Sequence, residues 1–213
     1  MPHGIVNSVT QQMKTQTRSK MVAGAADLIR RRGVNATSVR EVVRHTDTPR
    51  GSIGHHFPRG KQQLVEDAVT YAGQEVSDPL ERLVNEHGAV AGLHAFIDLW
   101  RNVLESSQYE AGCPVLAVAV EQYLSDDGTP NMKVQQGLLE LARDIFDQWQ
   151  RILSVSLRKE GVTPARARRL AALVVSSVEG TVALCRAARC SQPLNDVQQE
   201  LALALSSAIA QAR

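Results

Sequence analysis

The chain has 213 residues, 43% hydrophobic and 22% charged, which is the composition of an ordinary globular protein long enough to bury a substantial core. No apolar run reaches the roughly 18 residues of a membrane-spanning helix, and residues 1–16 lack the apolar centre of a signal peptide, so we expect a cytoplasmic protein without a membrane partner. The net charge of +2 is unevenly distributed, because residues 1–61 carry eleven Lys and Arg against three Asp and Glu. This excess predicts a polyanionic partner for that part of the chain. The alternative is that these side chains only keep its surface solvated.

The first 61 residues have the pattern of three helices with a tight turn. Apolar side chains recur at helical spacing over residues 17–33, which predicts a first helix. Ser38 and Glu41 have the spacing of a capping box at the start of a second helix over residues 37–46. An N-cap residue followed by proline opens residues 48–56, which predicts a short third helix. Two short helices joined by a tight turn in a basic domain indicate a helix-turn-helix.

The rest of the chain is predicted to be helical as well, because no stretch shows the sustained alternation of a strand. We expect an all-α protein of about nine helices, with a three-helix helix-turn-helix domain at residues 1–60 and a second helical domain at residues 61–213. The second domain is predicted to contain helices over residues 61–75 with an extension past Pro79 to 86, 89–106, 115–124, 132–160, 164–188 and, after a break at Pro193, 195–210.

The last two helices have unusually small side chains. Residues 170–184 and 201–212 combine Ala, Ser and Gly with a stripe of Leu and Val, so each helix has an apolar face that is broad for the edge of a monomer. We expect a homodimer in which these two helices pair with their copies as a four-helix bundle. The alternative is that both helices pack only on the core of their own chain.

Residues 48–61 (TPRGSIGHHFPRGK) admit three interpretations. A nucleotide-binding phosphate loop is excluded, because five residues instead of four separate Gly54 from Gly60 and Gln62 stands where the motif needs Ser or Thr. A metal site is disfavoured, because adjacent histidines on a helix point about 100° apart and the three cysteines of the chain are widely spaced. Nucleic-acid binding is favoured, because this short helix is polar and its glycines let a backbone approach a phosphate closely.

Residues 37–64 (TSVREVVRHTDTPRGSIGHHFPRGKQQL) resemble the signature of the TetR family of transcriptional repressors, and residues 112–121 and 178–194 resemble its LmrA/YxaF-like branch. The resemblance implies a homodimer that binds near-palindromic double-stranded operator DNA and represses transcription until a small molecule binds its C-terminal domain. The chain departs from the family pattern at Asp47, where Gly is usual but Asp tolerates the left-handed conformation. It departs again at Gly54, which replaces a Tyr that commonly contacts the DNA backbone.

Eight residues are DNA contacts by this resemblance. At helix N-termini, phosphate contacts are implied for Thr37, Ser38 and Lys61. The third helix is implied to face the major groove through Arg50, Gly51, Ser52 and His55 and to end at His56. Phe57, which follows this helix, is expected to plug the core of the domain.

The effector is expected to bind between the helices of residues 89–188. Polar side chains within apolar faces are the best candidates for fixing its polar group, and these are Glu121 and Glu179. Further candidates for the wall of a pocket that takes an apolar or aromatic ligand are Phe96, Trp100, Cys113, Leu116, Tyr123, Phe146, Trp149 and Cys185. The alternative for the aromatic members is that they belong only to the core.

Two other functions stay open. The sequence has no HExxH motif, no Ser-His-Asp order and no paired carboxylates beside a basic group, so we predict neither catalytic residues nor a cofactor. A helical carrier or enzyme without operator binding is nevertheless the alternative. A TetR-like activator is a third possibility, because the sign of regulation depends on where the operator lies.

Overall fold

The structure is a computed structural model that describes the backbone of residues 3–49 and 51–212 and the side chains of residues 15–49, 51 and 53–212. The described residues form eight α-helices and no strand, which confirms the all-α prediction. The helices are α1 His3–Arg32, α2 Val39–Thr46, α3 Ser52–His56, α4 Lys61–Ser106, α5 Pro114–Val120, α6 Met132–Lys159, α7 Pro164–Ala188 and α8 Gln192–Ala210. There are eight helices instead of about nine because the helices predicted on either side of residue 88 form one kinked element, α4.

Two boundaries in the N-terminal domain differ from the prediction. α1 begins at His3 instead of near residue 17. α3 begins at Ser52 instead of next to Pro49, because the Thr48 N–H still bonds to Val43 O at the end of α2, at 3.2 Å. The predicted cap-plus-proline start of this helix was therefore wrong by about one turn.

Two boundaries in the C-terminal domain also differ. α5 ends at Val120, well before residue 124, because Glu121 is extended (φ −95°, ψ 145°). Pro193 lies in the first turn of α8 instead of before the helix. Proline is tolerated there because the first N–H groups of a helix have no intrahelical acceptor.

α2 is held by local devices at both ends and by a close approach to α1. Ser38 Oγ accepts from Glu41 N at 3.3 Å and Glu41 Oε2 accepts from Ser38 N at 3.1 Å, which is the predicted capping box. Asp47 adopts the left-handed conformation (φ 48°, ψ 51°), as predicted. A Cβ at Gly24 of α1 would overlap Thr46 Cγ2 of α2, so the two helices touch at this glycine.

Phe57 fixes the end of α3 in the core. Its side chain is only 1% exposed, which confirms the predicted plug. The Arg18 guanidinium of α1 lies 5.5 Å from the centre of the Phe57 ring and pairs with Asp67 of α4 at 2.6 Å. These contacts tie the end of α3 to α1, while the same arginine ties α1 to α4.

α4 is two helices in one, and α6 fastens it to the C-terminal core. Gly88 has a φ of 82° and kinks α4, and Glu160 Oε1 caps the second half by accepting from Ala89 N at 2.6 Å. Trp149 of α6 donates from its indole nitrogen to Ser77 Oγ of α4 at 3.1 Å. The core of this domain lies between α4, α6, α7 and α8.

α7 is long and apolar enough, by length and composition alone, to span a membrane. It packs against α6 on one side and α8 on the other, as a core helix of a soluble helical protein does. Its remaining face carries exposed side chains, including Leu173 and Leu184.

Candidate DNA-binding surface and ligand cavity

The outer face of α3 and the turn before it is open. Gly51, Gly54 and His55 are exposed, and a Cβ at either glycine would meet no atom within 4 Å. The rings of His55 and His56 meet edge to face, with their centroids 5.1 Å apart. Arg50 lies outside the described residues, and so does the side chain of Ser52. The face therefore offers room for close approach of a large ligand.

Thr37 and Ser38 were predicted at the start of the second helix and lie just before α2, with Ser38 as its N-cap, but their hydroxyl groups are used within the protein. Thr37 is buried, and its Oγ1 donates to Gly33 O at 2.8 Å. Ser38 Oγ caps α2. In this structure both hydroxyls stabilise the turn between α1 and α2, and their contact with phosphate stays a prediction.

Lys61 lies at the start of α4, but its ammonium group points into the protein. The side chain is buried, Nζ donates to Leu124 O at 3.0 Å, and Nζ lies 5.4 Å from the centre of the Tyr123 ring. Burial lowers the pKa of Lys61, against the opposing attraction of Asp126 and Glu121. The residue predicted to hold a DNA phosphate therefore links α4 to the segment after α5 in this structure.

Two exposed arginines on α2 extend the basic surface and were missed as candidate contacts. Arg40 and Arg44 are four residues apart, so they lie on one side of the helix. The Arg44 side chain is 78% exposed, and its ion pair with Glu41 is long, at 3.9 Å. Their spacing within a capped helix just before α3 was the sequence signal that could have found them.

Four of the predicted ligand-binding residues surround one internal cavity, which we call the Glu179 cavity. Its volume is about 20 Å³, which is room for about one water molecule. The predicted residues in its wall are Phe96, Trp100, Trp149 and Glu179. The rest of the wall is aliphatic and comes from Val76, Leu80, Leu93, Leu153, Val174, Val175 and Val178.

A second cavity adjoins the first, and we call it the side cavity. Its volume is about 130 Å³, and Phe96 and Trp100 belong to the walls of both cavities. Its charged lining residues are Arg30 and Glu75. Both cavities are therefore in contact with the same two aromatic side chains.

Glu179 is the one charged residue in the described wall of the Glu179 cavity. Its side chain is buried, and Oε2 has no hydrogen-bond partner among the described residues. Burial raises the pKa of Glu179 to about 7, although a hydrogen bond from the Cys113 thiol acts in the opposite direction. Burial and the nearby Glu179 also raise the pKa of the Cys113 thiol. A buried carboxyl group with a spare acceptor in an apolar space is suited to receive a donor from a ligand.

The other predicted ligand-binding residues lie outside the Glu179 cavity. Cys113 and Leu116 line a cleft of about 310 Å³ where α1, α5 and α7 meet. Tyr123, Phe146 and Cys185 line none of these spaces. The structure therefore brings together four of the ten predicted residues in the Glu179 cavity, with Cys113 in contact with one of them.

Glu121 joins the two domains instead of lining the Glu179 cavity. Its Oε2 accepts from Val34 N at 3.0 Å and from Asn35 N at 3.4 Å, in the turn between α1 and α2. The carboxylate fits because Gly33 has no side chain there: a Cβ on it would overlap Glu121. The Asn35 side chain bonds in both directions with the main chain just after Glu121. We call this set of contacts the junction.

α5 connects the junction to the Glu179 cavity. Its N-cap is Cys113, whose thiol bonds to Glu179, and its C-cap is Glu121. The seven residues of α5 span about 10 Å. Just before α5, Gly112 N donates to Arg30 O at 2.8 Å, at the end of α1. Both ends of α5 are therefore in contact with the N-terminal domain, the first through Gly112 and Arg30 and the second through Glu121 and Val34.

Replacing Glu121 with alanine is expected to lower the free energy of unfolding by about 1–3 kcal/mol, because two backbone N–H groups lose a charged acceptor. Chemical denaturation measures this change. The matched control is Gln122→Ala: Gln122 is exposed and takes part in the junction through its main-chain carbonyl. Equal losses of stability in the two variants would show that the carboxylate does not hold the junction.

Two protein-family descriptions match separate parts of the chain. Residues 22–68 match the family described as bacterial regulatory proteins, tetR family. Residues 89–200 match the family described as transcriptional regulator LmrA/YxaF-like, C-terminal domain.

Individual relatives match over most of their length. The chain is 38% identical over 185 residues to an HTH-type transcriptional regulator of Mycobacterium tuberculosis, which covers 86% of this chain and 91% of that protein. It is 26% identical to the HTH-type transcriptional regulator LmrA of Bacillus subtilis, over 84% of this chain and 90% of LmrA.

Solved structures share the fold. A TetR transcriptional regulator from Chloroflexus aurantiacus superposes with a TM-score of 0.70 at 28% identity, over 92% of this chain and 96% of that one. The regulatory protein TetR from Rhodobacter sphaeroides superposes with a TM-score of 0.74 at 16% identity, over 87% of this chain and 97% of that one. The chain therefore belongs to the TetR family of transcriptional regulators, with an N-terminal helix-turn-helix and a C-terminal domain of the LmrA/YxaF-like type.

Proposed function

We propose that the protein is a cytoplasmic repressor that binds a near-palindromic operator as a homodimer and leaves it when a small apolar or aromatic molecule enters the C-terminal domain. The observation that carries this proposal is the junction at Glu121, because it connects the turn before α2 to α5, the helix whose N-cap Cys113 bonds to Glu179. A ligand can control DNA binding only if its site is coupled to the DNA-binding element.

The open face of α3 is the proposed contact with the major groove. Gly51 and Gly54 allow a close approach, and His55 is an exposed donor. Arg50 is the proposed reader of a base, since arginine pairs well with the major-groove edge of guanine. The exposed arginines of α2 add charge that attracts phosphates whatever the base sequence.

α7 and α8 are the proposed dimer interface. Leu173 and Leu184 of α7 are 47% and 57% exposed in the single chain, and Leu203 of α8 is 65% exposed. Much of the remaining exposed face of α7 is Ala, Ser and Gly, which let two helices approach closely. The same two helices from a second copy would remove these leucines from water, which favours association.

Release is proposed to pass through α5. A ligand that bonds to Glu179 draws on the same carboxyl group that accepts from the thiol of Cys113, which caps α5. A shift of α5 moves Glu121, and with it the turn that sets the position of α2. The ligand lowers DNA affinity to the extent that it binds the shifted state more tightly.

Titration of fluorescent promoter DNA from the regulator's own gene, followed by anisotropy, tests the proposal. We expect tighter binding than to a scrambled duplex of equal length, and affinity that falls steeply as salt rises from about 50 to 200 mM. His55→Ala should weaken binding by about fivefold, the loss of one hydrogen bond. His87→Ala, at an exposed histidine of α4, is the matched control and should change nothing. Equal affinity for both duplexes would rule out operator binding.

A further inference from the structure

We infer that the effector is an organic cation with an apolar or aromatic body, whose positive group pairs with Glu179 inside the cavity that Phe96, Trp100 and Trp149 help to enclose. This inference rests on the proposed function, because it names the chemical class of the molecule that the C-terminal domain would sense. It begins from the unpartnered Oε2 of Glu179, which is buried in the protein without a hydrogen bond from any described residue.

The charge of the cavity wall selects the sign of the ligand. Among the residues that the structure describes, Glu179 is the one acidic member of this wall, and no Lys, Arg or His lines it. At Glu179 an anionic ligand would meet a carboxyl group and no counterion, which is unfavourable in an apolar space, and Arg30 of the side cavity shares that wall with Glu75. A cation supplies the counterion that an ionised Glu179 lacks. A buried ion pair is favourable only when both partners are present.

The shape and polarisability of the wall select the body of the ligand. Phe96, Trp100 and Trp149 offer aromatic rings, whose faces attract a cation when water is excluded. The Glu179 cavity alone holds about one water molecule, so the ligand must displace Phe96 and Trp100 and extend into the side cavity of about 130 Å³. An apolar body replaces the contacts that these rings give up.

The groups that face Glu179 set the pH dependence of binding. The Cys113 thiol from the segment before α5 bonds to it, while α4 and α6 present apolar or aromatic side chains. Arg30 and Glu75 stand behind the shared aromatic wall, in the side cavity. Because burial raises the pKa of Glu179 to about 7, a permanent cation must displace a proton from it at acidic pH. Cation affinity should therefore be full above pH 7 and decline below it.

Two probes of the same shape isolate the charge: phenyltrimethylammonium and its uncharged isostere tert-butylbenzene. Isothermal titration calorimetry on the protein without DNA should show at least about tenfold tighter binding of the cation at pH 8. Between pH 8 and pH 5.5 the affinity for the cation should fall by about tenfold or more, while that for tert-butylbenzene stays constant.

Glu179→Gln keeps the size of the side chain and should abolish the preference for the cation while keeping tert-butylbenzene binding, which also shows that the cavity is intact. Glu140→Gln is the matched control, since Glu140 is exposed on α6 and lines neither cavity, and it should keep the preference. Equal binding of the two probes by the unaltered protein, binding of neither, or a preference that survives Glu179→Gln would overturn the inference. A protein that binds the cation at Glu179 but never binds operator DNA would leave the inference standing and refute the proposed function.

Discussion

Leu203→Glu should convert the protein to a monomer at micromolar concentration and weaken operator binding by at least about a hundredfold. Leu203 is 65% exposed in the single chain, so the change leaves the folded monomer almost undisturbed. In the proposed dimer the same position lies between four helices, where an unpaired carboxylate costs several kcal/mol. A monomer then binds one half-site at a time and loses the gain of about 100-fold or more that linked binding provides.

Light scattering and DNA titration measure the two effects separately. Met132→Glu is the matched control, because Met132 is 70% exposed on α6, which is not one of the two proposed interface helices. It should remain dimeric with unchanged DNA affinity. A Leu203→Glu variant that stays dimeric would show that α8 does not form the interface.

Phe57→Ala should lower the free energy of unfolding by about 3–5 kcal/mol, because a large buried ring is replaced by a cavity. The ring is 1% exposed and packs under the Arg18 guanidinium. α3 has only five residues and no side-chain cap, so it depends on this anchor more than on its own hydrogen bonds. The Phe57→Ala variant should also lose operator binding.

Urea denaturation gives the change in stability, and circular dichroism shows whether the C-terminal helices survive. Tyr71→Ala is the matched aromatic control: Tyr71 is 36% exposed on α4, and its truncation should cost far less. A Phe57→Ala variant as stable as the control would mean that α3 is held by contacts other than this ring.

The helices were largely predictable from sequence because their signals are local. The capping box at Ser38, the left-handed Asp47 and the plug at Phe57 each depend on residues close by in the chain or on simple apolar burial. The start of α3 could not be predicted from sequence, because the Thr48 N–H still bonds to Val43 O of α2 and the helix begins only after Pro49.

Polar partners far apart in the chain were beyond sequence reasoning. Lys61 bonds to Leu124, and Glu121 bonds to Val34 and Asn35. Residue type had suggested a phosphate contact for Lys61 and a ligand contact for Glu121. The partner that the structure gives it depends on how α5 crosses the end of α1, which no periodicity reports.

The Glu179 cavity was predicted only in part, for a related reason. Helical spacing shows which face of a helix is buried, but not which neighbour that face meets. Phe96, Trp100, Trp149 and Glu179 meet in one space, whereas Phe146, on the same helix as Trp149, packs against its ring outside that space. Of the two acidic residues singled out amid apolar faces, Glu179 lies in the cavity, whereas Glu121 bonds to the turn between α1 and α2.

The contact between Gly24 and Thr46 sets a limit on how the sequence can drift over evolution. Because α1 and α2 touch at this point, a methyl group added at position 24 requires that volume be removed at position 46. The two positions should therefore change together among descendants of this chain. A larger residue at position 24 alone would tilt α2, and we expect such a protein to bind DNA sites that differ from those of its relatives.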